Sequence, residues 1–357
     1  MLANQASLAV RTKTLILLAA VLTLTVCTRL YFQLPALPKW RRTAHHAGDS
    51  FIAQERIIQA SHYDGDGRAP CQELDGGDSV LLVMRTGATE IRDKLPVHIN
   101  TTFKCYQDLI IFSDYEETFE GHKVHDVLTA VSDDIKLEHP DFVLYQRLLA
   151  GGRDVLNQSE LSGTKSYESG SVGKTNNEGW NLDKWKFLPM AVRTLELRPD
   201  AKWIVFVEPD TYLVWSNLLQ WLKKLDPSEP VYYGSEVQIG DDVFAHGGSA
   251  FVMSKPALQR AADKYREKPK EWHELTAAHW AGDCILGRAL HEAGVPLRWA
   301  WPLFQGGNPA TMDYKEDKND QRKLWCAPVS KRFPNLRWMA VSFMLGSALL
   351  AKFWSLC

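Results

Sequence analysis

The chain has 357 residues, of which 45% are hydrophobic and 24% are charged, and its formal net charge is −2. This length accommodates one large domain or two ordinary ones, and the composition is that of a globular protein with a substantial core. The nearly neutral charge gives no electrostatic reason to expect nucleic-acid binding. The chain has 13 tryptophans, a high number, which we interpret first as core packing and second as sugar-binding surface.

The first predicted element is a signal-anchor transmembrane segment at residues 14–37, behind a short tail at residues 1–13. The run TLILLAAVLTLTVCT carries no charge, and it approaches the length of about 20 residues that a span needs only if Arg29 snorkels. A cleavable signal peptide is the alternative, but no Ala-x-Ala site follows the run. Either interpretation sends the rest of the chain into the secretory pathway, and residues 38–78 are predicted to form a stem.

Five of the six cysteines follow the anchor and would face an oxidising lumen, where disulfides form. Proximity along the chain favours the pairs Cys71–Cys105 and Cys284–Cys326 and leaves Cys357 without a partner. Connectivity does not follow from sequence, so these pairs are an expectation.

An α/β domain is predicted over residues 79–329. A buried strand at 79–85, a helix around 91–99 and a second strand at 108–112 imply a right-handed parallel crossover. Residues 162–179 are rich in Gly, Ser, Thr and Asn, which predicts a loop.

A run of apolar residues without alternation, Trp203 to Val207, predicts a central strand that is buried on both faces. The strand stops at two carboxylates, Glu208 and Asp210, which Pro209 separates. Open α/β sheets bind ligands at the carboxyl edge of their strands, and hard oxygen donors suit Mg²⁺ or Mn²⁺ shared with phosphates. An acidic turn that merely closes a strand is the alternative.

The elements around this strand continue the α/β alternation. They are a helix capped by Asn181 and kinked at Pro189, a helix at 215–225, a strand at 231–233, a strand within 244–254, a helix opened by Pro256, and a helix that ends at Gly294.

Three motifs in this order resemble the Fringe-like and core-1-type β-1,3-glycosyltransferases of glycosyltransferase family 31. They are Glu208-Pro209-Asp210-Thr211-Tyr212, His246-Gly247-Gly248-Ser249-Ala250-Phe251 and Gly282-Asp283-Cys284-Ile285-Leu286-Gly287. The resemblance covers roughly residues 79–330. It implies a GT-A fold and inverting transfer of a hexose or N-acetylhexosamine from a UDP-sugar to a glycan or glycoprotein with Mn²⁺ or Mg²⁺. It also implies a single-pass type II Golgi membrane protein whose catalytic domain is lumenal.

The resemblance also implies roles for individual residues. Asp210 would ligate the metal that bridges the donor diphosphate, and Glu208 would reach that metal through water or contact the ribose. Asp283 stands where the family has its general base, although an N-cap for the following helix is the alternative. Gly247 and Gly248 would let the backbone approach donor or acceptor closely, or would simply form a turn.

Other candidates on the donor side rest on position alone. Arg85, Thr86 and Asp114 stand at the ends of the first two predicted strands. Lys184 could contact phosphate, although we interpret it first as part of a solvated helix face.

The resemblance ends after Val329. The family continues with a strand that carries a metal-binding His, whereas Ser330-Lys331-Arg332-Phe333 does not match and no His follows His291. Residues 330–357 are therefore predicted to be a divergent apolar tail that forms no strand of the sheet. Its apolar part, 338–354, is a short membrane segment, a buried helix or sequence foreign to the fold, and we hypothesise a retained intron or a mis-set exon boundary. The lost His keeps a second interpretation open, that of a catalytically weak or inactive Fringe-like glycan-binding or chaperone-like protein.

Overall fold

The computed structural model describes residues 69–161 and 177–306 and the backbone of residues 330–332. The predicted anchor at 14–37 and the apolar stretch at 338–354 lie outside these residues. Within the described part of the chain, no helix is both long and apolar enough to cross a membrane.

The described elements alternate between strands and helices, as predicted. The strands are β1 (Val80–Arg85), β2 (Asp108–Ser113), β3 (Glu117–Phe119), β4 (His122–Asp126), β5 (Trp203–Val207), β6 (Thr211–Leu213), β7 (Tyr232–Gly234), β8 (Glu236–Ile239), β9 (Asp242–Ala245), β10 (Phe251–Ser254), β11 (Leu297–Trp299), β12 (Phe304–Gln305) and β13 (Ser330–Arg332). The α-helices are α1 (Ile91–Asn100), α2 (Asp133–Glu138), α3 (Val143–Gly151), α4 (Glu178–Asp183), α5 (Phe187–Leu197), α6 (Trp215–Leu222), α7 (Lys255–Glu267), α8 (Pro269–Ala278) and α9 (Gly282–Glu292).

The main sheet has eight strands in the order β11-β7-β10-β5-β1-β2-β4-β3. β1 pairs in parallel with β2 and with β5, which confirms the parallel pairing predicted for the first two strands. β10 runs antiparallel to both β5 and β7, so the sheet is mixed. Every residue of β1 and β5 is buried, as expected for strands that are covered on both faces. This mixed α/β architecture fits a GT-A-like fold.

Two apolar clusters cover the two faces of the sheet. Leu81 and Ile204 belong to the cluster that includes residues of α5, α7 and α9. Leu82 and Val205 belong to the cluster that includes residues of α1 and α6. Because successive side chains of a strand point to opposite faces, each central strand contributes side chains alternately to the two clusters. The apolar residues end with the strands, so polar residues can stand at the carboxyl ends.

The helical segment before β5 begins earlier than predicted and is interrupted. Asn177, not Asn181, caps α4, and its side chain accepts the N–H of Gly179 at 2.9 Å. A 3₁₀ turn at Lys184–Lys186 separates α4 from α5. Pro189 lies in the first turn of α5 and has no N–H to donate to a carbonyl of the preceding turn, which favours a break there.

A second sheet, in the order β12-β13-β6, joins the C-terminal described residues to the strand that follows Asp210. β13 pairs in parallel with β12 and antiparallel with β6, where Arg332 lies opposite Thr211. The prediction that no strand forms from Ser330 is therefore wrong. Its apolar pattern is poor, but backbone hydrogen bonds to strands on both sides stabilise a three-residue strand whatever side chains it carries.

The predicted Cys71–Cys105 disulfide is confirmed. It ties the start of the described chain to the 3₁₀ turn that follows α1. Cys284 is instead a free, buried thiol whose Sγ lies 3.8 Å from Oδ2 of Asp242, so the prediction of a Cys284–Cys326 bond is wrong. α9 packs this thiol against β9, a contact that spacing between cysteines does not reveal.

Candidate active site

The turn after β5 places Glu208 and Asp210 at the carboxyl edge of the main sheet, as predicted. The N–H of Thr211 donates to the carbonyl of Glu208 at 2.9 Å and closes the turn. Oγ1 of Thr211 donates to the carbonyl of Gly248 at 3.1 Å, which ties the turn to the glycine motif before β10. The side chain of Asp210 is nearly buried, at 9% exposure.

His98 holds the same turn from α1, and sequence reasoning missed it. The buried ring has Nδ1 2.9 Å from Oγ1 of Thr102 and Nε2 2.8 Å from the carbonyl of Pro209. A carbonyl can only accept, so Nε2 carries the proton and Nδ1 accepts from the hydroxyl. Burial lowers the pKa of His98 to about 4, so the ring is neutral near pH 7. The sequence feature that could have identified His98 as buried is its spacing from Ile91 and Leu95, which places all three on one face of the helix.

Arg85, at the end of β1, forms ion pairs with two carboxylates. Its Nη2 pairs with Oε1 of Glu208 and its Nη1 with Oδ2 of Asp183, while its guanidinium lies 4.0 Å from the ring centroid of Phe187. The arginine side chain is only 6% exposed. Because a guanidinium stays charged and presents a planar fork, it fixes both carboxylates in place. The structure thus brings Arg85 and Glu208 together and adds Asp183, which the sequence analysis did not propose.

Lys186 connects the ends of the first two strands. Its Nζ donates to the carbonyl of Thr86 at 2.7 Å and lies 3.0 Å from Oδ2 of Asp114. Oδ1 of Asp114 also accepts the N–H of Ala88 at 2.7 Å. Lys186, Asp114 and Thr86 are all buried, so this part of the site is an internal network that supports Arg85. Donor contacts by Thr86 and Asp114 stay a prediction.

The side chains of Lys184 and Lys186 contact different carboxylates. Lys184, the residue noted in the sequence, has its Nζ 2.9 Å from Oδ2 of Asp141. Lys186 is the residue that approaches the site, and its Nζ lies 3.5 Å from Oδ1 of Asp183. The sequence feature that could have identified Lys186 is its position at the start of an apolar helical run, three residues after Asp183.

Asp283 lies in the first turn of α9, and backbone groups bind both of its oxygens. Oδ2 accepts the N–H of Gly247 at 2.9 Å, and Oδ1 accepts the N–H of Cys284 at 3.0 Å. The N-cap residue is Ala281, with no side-chain cap, so the alternative role of Asp283 as N-cap is wrong. The side chain instead joins α9 to the glycine turn before β10.

The pKa of Asp283 is raised, chiefly by burial. The hydrogen bond from Gly247 and the charges of His246 and Arg85 oppose this shift, and the carboxylate of Glu208 adds to it. A raised pKa makes this carboxylate a stronger base than an exposed aspartate.

Gly247 packs directly on the ion pair. A Cβ at this position would lie 3.1 Å from Oε1 of Glu208, and 3.3 Å from both Nη2 of Arg85 and Cζ of Phe187. The close approach explains why this position carries no side chain. Gly248 is buried beside it.

Lys94 is a further cation near the two carboxylates, and the sequence analysis did not identify it. Its Nζ lies 2.7 Å from Oε2 of Glu90. Burial alone would lower the pKa of Lys94, but the carboxylates of Glu90, Asp210 and Glu208 outweigh it and raise that pKa. Lys94 is therefore a fixed positive charge beside the turn.

The donor atoms of the turn suit a divalent ion that is shared with a substrate. In the described parts of the chain, no group of three or more His, Cys, Asp or Glu side chains is arranged to hold a metal. Glu208 and Asp210 supply hard oxygen atoms, and Mg²⁺-type ions bound together with phosphates need only one or two protein carboxylates. Oε1 of Glu208 also pairs with Arg85.

Comparison with known proteins gives a family match over residues 183–304, to the family described as Fringe-like. The beta-1,3-glucosyltransferase of Homo sapiens is 30% identical over 120 residues, which cover 32% of this chain and 22% of that protein. The beta-1,3-glucosyltransferase of Mus musculus is 28% identical over 123 residues, with the same coverage of 32% and 22%. The chain thus spans about a fifth of the length of these curated relatives. The matched residues contain Asp183, Glu208, Asp210, Gly247 and Asp283, and Arg85 reaches them from outside the match.

Proposed function

Residues 183–304 match the family described as Fringe-like, and from this premise we propose that the protein is an inverting glycosyltransferase. It transfers a hexose or N-acetylhexosamine from a UDP-sugar to a hydroxyl group of a glycan or glycoprotein. The observation that carries the proposal is the convergence of Arg85, Glu208, Gly247 and Asp283 in direct contact at the carboxyl edge of the sheet.

Asp283 is the proposed general base. In a single displacement it accepts the proton of the acceptor hydroxyl while that oxygen bonds to the anomeric carbon of the donor. The bond from the anomeric carbon to the phosphate oxygen breaks, and UDP leaves with its electron pair. A base of raised pKa that backbone groups hold at both oxygens supports this role, since its position does not depend on mobile side chains.

Local charge supports a divalent cation, Mn²⁺ or Mg²⁺, as a partner of the donor. Among the described residues of this network, six carboxylates stand against three cationic groups: Glu90, Asp114, Asp183, Glu208, Asp210 and Asp283 against Arg85, Lys94 and Lys186. A diphosphate brings further negative charge, and a bound cation would offset the repulsion. Asp210 would hold it, with Glu208 nearby, and the ion would act as a Lewis acid on the leaving phosphate.

The proposed location is a Golgi membrane, with single-pass type II topology and a lumenal catalytic domain. The Cys71–Cys105 disulfide supports an oxidising compartment. The sequons at Asn100 and Asn157 are both on exposed residues, so a lumenal glycosylation machinery would reach them.

A second candidate is a Fringe-like glycan-binding or chaperone-like protein with weak or no catalysis. This candidate is favoured by the composition of β13. That strand pairs with β6 and consists of Ser330, Lys331 and Arg332, so it carries no His that could bind a metal. Such a protein would bind glycans and release no UDP beyond the background of the assay.

The proposed function is tested by UDP release. The purified full-length protein in detergent is incubated with UDP-glucose, UDP-galactose, UDP-N-acetylglucosamine or UDP-N-acetylgalactosamine, each with Mn²⁺ or with a chelator. We expect release of UDP from at least one donor with Mn²⁺, with loss of that activity in Asp283→Asn. Release by Asp283→Asn at the wild-type rate would refute the role of Asp283 as the base. Release of UDP from none of the donors would refute the transferase assignment and favour the second candidate.

A further inference from the structure

Two tryptophans that are distant in sequence stack on each other just before the N-terminus of α9. The ring centroids of Trp180 and Trp280 are 6.4 Å apart, with an angle of 17° between the planes. His279 adds a third near-parallel ring, 6.1 Å from Trp280 and tilted by 13°. Trp280 keeps 48% of its surface exposed, so the stack is accessible to solvent at this residue.

A hydrogen bond and close packing fix the backbone that follows Trp280. The N–H of Ala281 donates to Nδ1 of His279 at 3.0 Å. At the next residue, a Cβ on Gly282 would collide with the ring of Phe187 and come within 2.5 Å of the carbonyl of Lys184. The chain just after Trp280 therefore packs against the 3₁₀ turn that follows α4, which is why the two tryptophans meet.

The same two segments carry the charged groups of the site. Trp180 lies three residues before Asp183, which pairs with Arg85. Trp280 lies three residues before Asp283, which binds Gly247. The aromatic stack and the proposed base therefore lie on the same two segments of the chain, each ring three residues before a carboxylate of the site.

Building on the proposed function, we propose that Trp180, Trp280 and His279 form the binding subsite for the acceptor sugar, which is a pyranose stacked by its apolar C–H face on Trp280. The C–H bonds of a pyranose are weakly positive, and the faces of aromatic rings are negative, so the two attract. Rigid aromatic rings also provide a large contact area at low entropic cost. A sugar held there would direct a hydroxyl group toward Asp283, while the donor's diphosphate would bind near Asp210.

The proposal is tested without catalysis, by saturation-transfer NMR on the full-length protein. The probes are methyl β-D-galactopyranoside and methyl β-D-glucopyranoside, present without UDP. We expect saturation transfer to the ring C–H protons of at least one glycoside. In Trp280→Ala the affinity should fall about tenfold, as expected when one good aromatic contact is lost. Trp280→Phe, which keeps a ring, should retain most of the binding.

Trp299→Ala is the matched control, because Trp299 is 60% exposed and lies on β11 at the edge of the main sheet. Equal saturation transfer in Trp280→Ala and wild type, or no transfer from either glycoside to the wild type, would overturn the subsite. So would a loss of thermal stability in Trp280→Ala with unchanged glycoside binding, because the ring would then serve packing.

A thermal shift with UDP and Mn²⁺ separates this subsite from the proposed function. We expect Trp280→Ala to be stabilised by UDP as much as the wild type. If UDP stabilises neither protein but glycosides still bind at Trp280, the transferase assignment fails and the subsite stands as a glycan-binding surface. If UDP stabilises both and glycosides do not bind, the subsite fails and the transferase assignment stands.

Discussion

The N–H of Gly247 donates to Oδ2 of Asp283 across 2.9 Å and joins two motifs that are 36 residues apart. The second oxygen of the carboxylate accepts the N–H of Cys284 within α9. Two backbone groups thus orient the carboxylate, and the glycine that supplies one of them also packs against Glu208 and Arg85. A small displacement of this turn would therefore disturb the proposed base and the ion pair together.

Replacement of Asp283 by Asn should abolish transfer and preserve UDP binding. The amide oxygen can still accept the N–H of Gly247, and only the hydrogen bond from the N–H of Cys284 is lost, so the fold should survive. An amide cannot take up the proton of the acceptor. We expect transfer to fall by about 10²–10⁴-fold. Asp133→Asn, at an exposed position of α2, is the control and should leave transfer unchanged. Turnover of Asp283→Asn within a few-fold of wild type would return Asp283 to a structural role.

The same substitution should weaken the dependence of stability on pH, because an amide does not titrate. Burial raises the pKa of Asp283 in the folded protein above the ordinary 3.8. The protonated form thus favours folding at low pH, and that contribution is lost as pH rises through the folded pKa. Urea unfolding of wild type and Asp283→Asn between about pH 4 and pH 7, without UDP, checks this. If the free energy of unfolding changes with pH in the same way in the two proteins, the carboxylate of Asp283 makes no such contribution.

Asp210→Ala should remove the stabilisation that UDP gives in the presence of Mn²⁺. At a ligand concentration of 100 Kd, a bound ligand stabilises a protein by about 2.7 kcal/mol, and the variant should gain clearly less. Thermal unfolding with UDP and Mn²⁺, compared with UDP and a chelator, measures the difference. Asp226→Ala, on an exposed turn, serves as control. An unchanged UDP shift in Asp210→Ala would exclude this residue as the metal ligand.

Gly247→Ala should damage the site through overpacking. The new methyl group would lie 3.1 Å from Oε1 of Glu208, so the Arg85 pair must move. Overpacking of this kind costs about 1–3 kcal/mol, and UDP binding should weaken as well. Gly77→Ala is a suitable comparison, since its methyl group would meet only the flexible amide of Gln107 at 3.3 Å and ordinary contacts beyond it. Wild-type stability and UDP affinity in Gly247→Ala would contradict the packing argument.

His98 should make stability depend on pH in the mildly acidic range. Its pKa is about 4 when folded and 6.5 ordinarily, so the unfolded chain binds the proton first as pH falls. The contribution of His98 is complete above about pH 6.5 and is lost as pH falls toward 4, amounting to roughly 3 kcal/mol at most. His98→Gln should flatten the profile in urea unfolding, whereas His291→Gln, at an exposed position, should not. Equal slopes for wild type and His98→Gln would refute this role.

The sequence by itself determined the parts of the protein that depend on neighbouring residues. The apolar run of β5 specified a strand buried on both faces, and Glu208 and Asp210 marked its carboxyl end. Three short motifs indicated a resemblance to Fringe-like glycosyltransferases, and the match of residues 183–304 to the Fringe-like family agrees with it. Such features are legible because burial, chain direction and motif spacing act over a few residues.

Only the tertiary structure decided which distant side chains meet. Arg85 pairs with Asp183 although 98 positions separate them, and His98 bonds to Pro209 across 111 positions. β13 forms because β6 and β12 supply backbone hydrogen bonds, despite its unfavourable pattern, and Trp180 stacks on Trp280 because Gly282 allows α9 to pack against the turn after α4. These contacts depend on the packing of whole elements, and no local pattern encodes which partners that packing brings within a few ångströms.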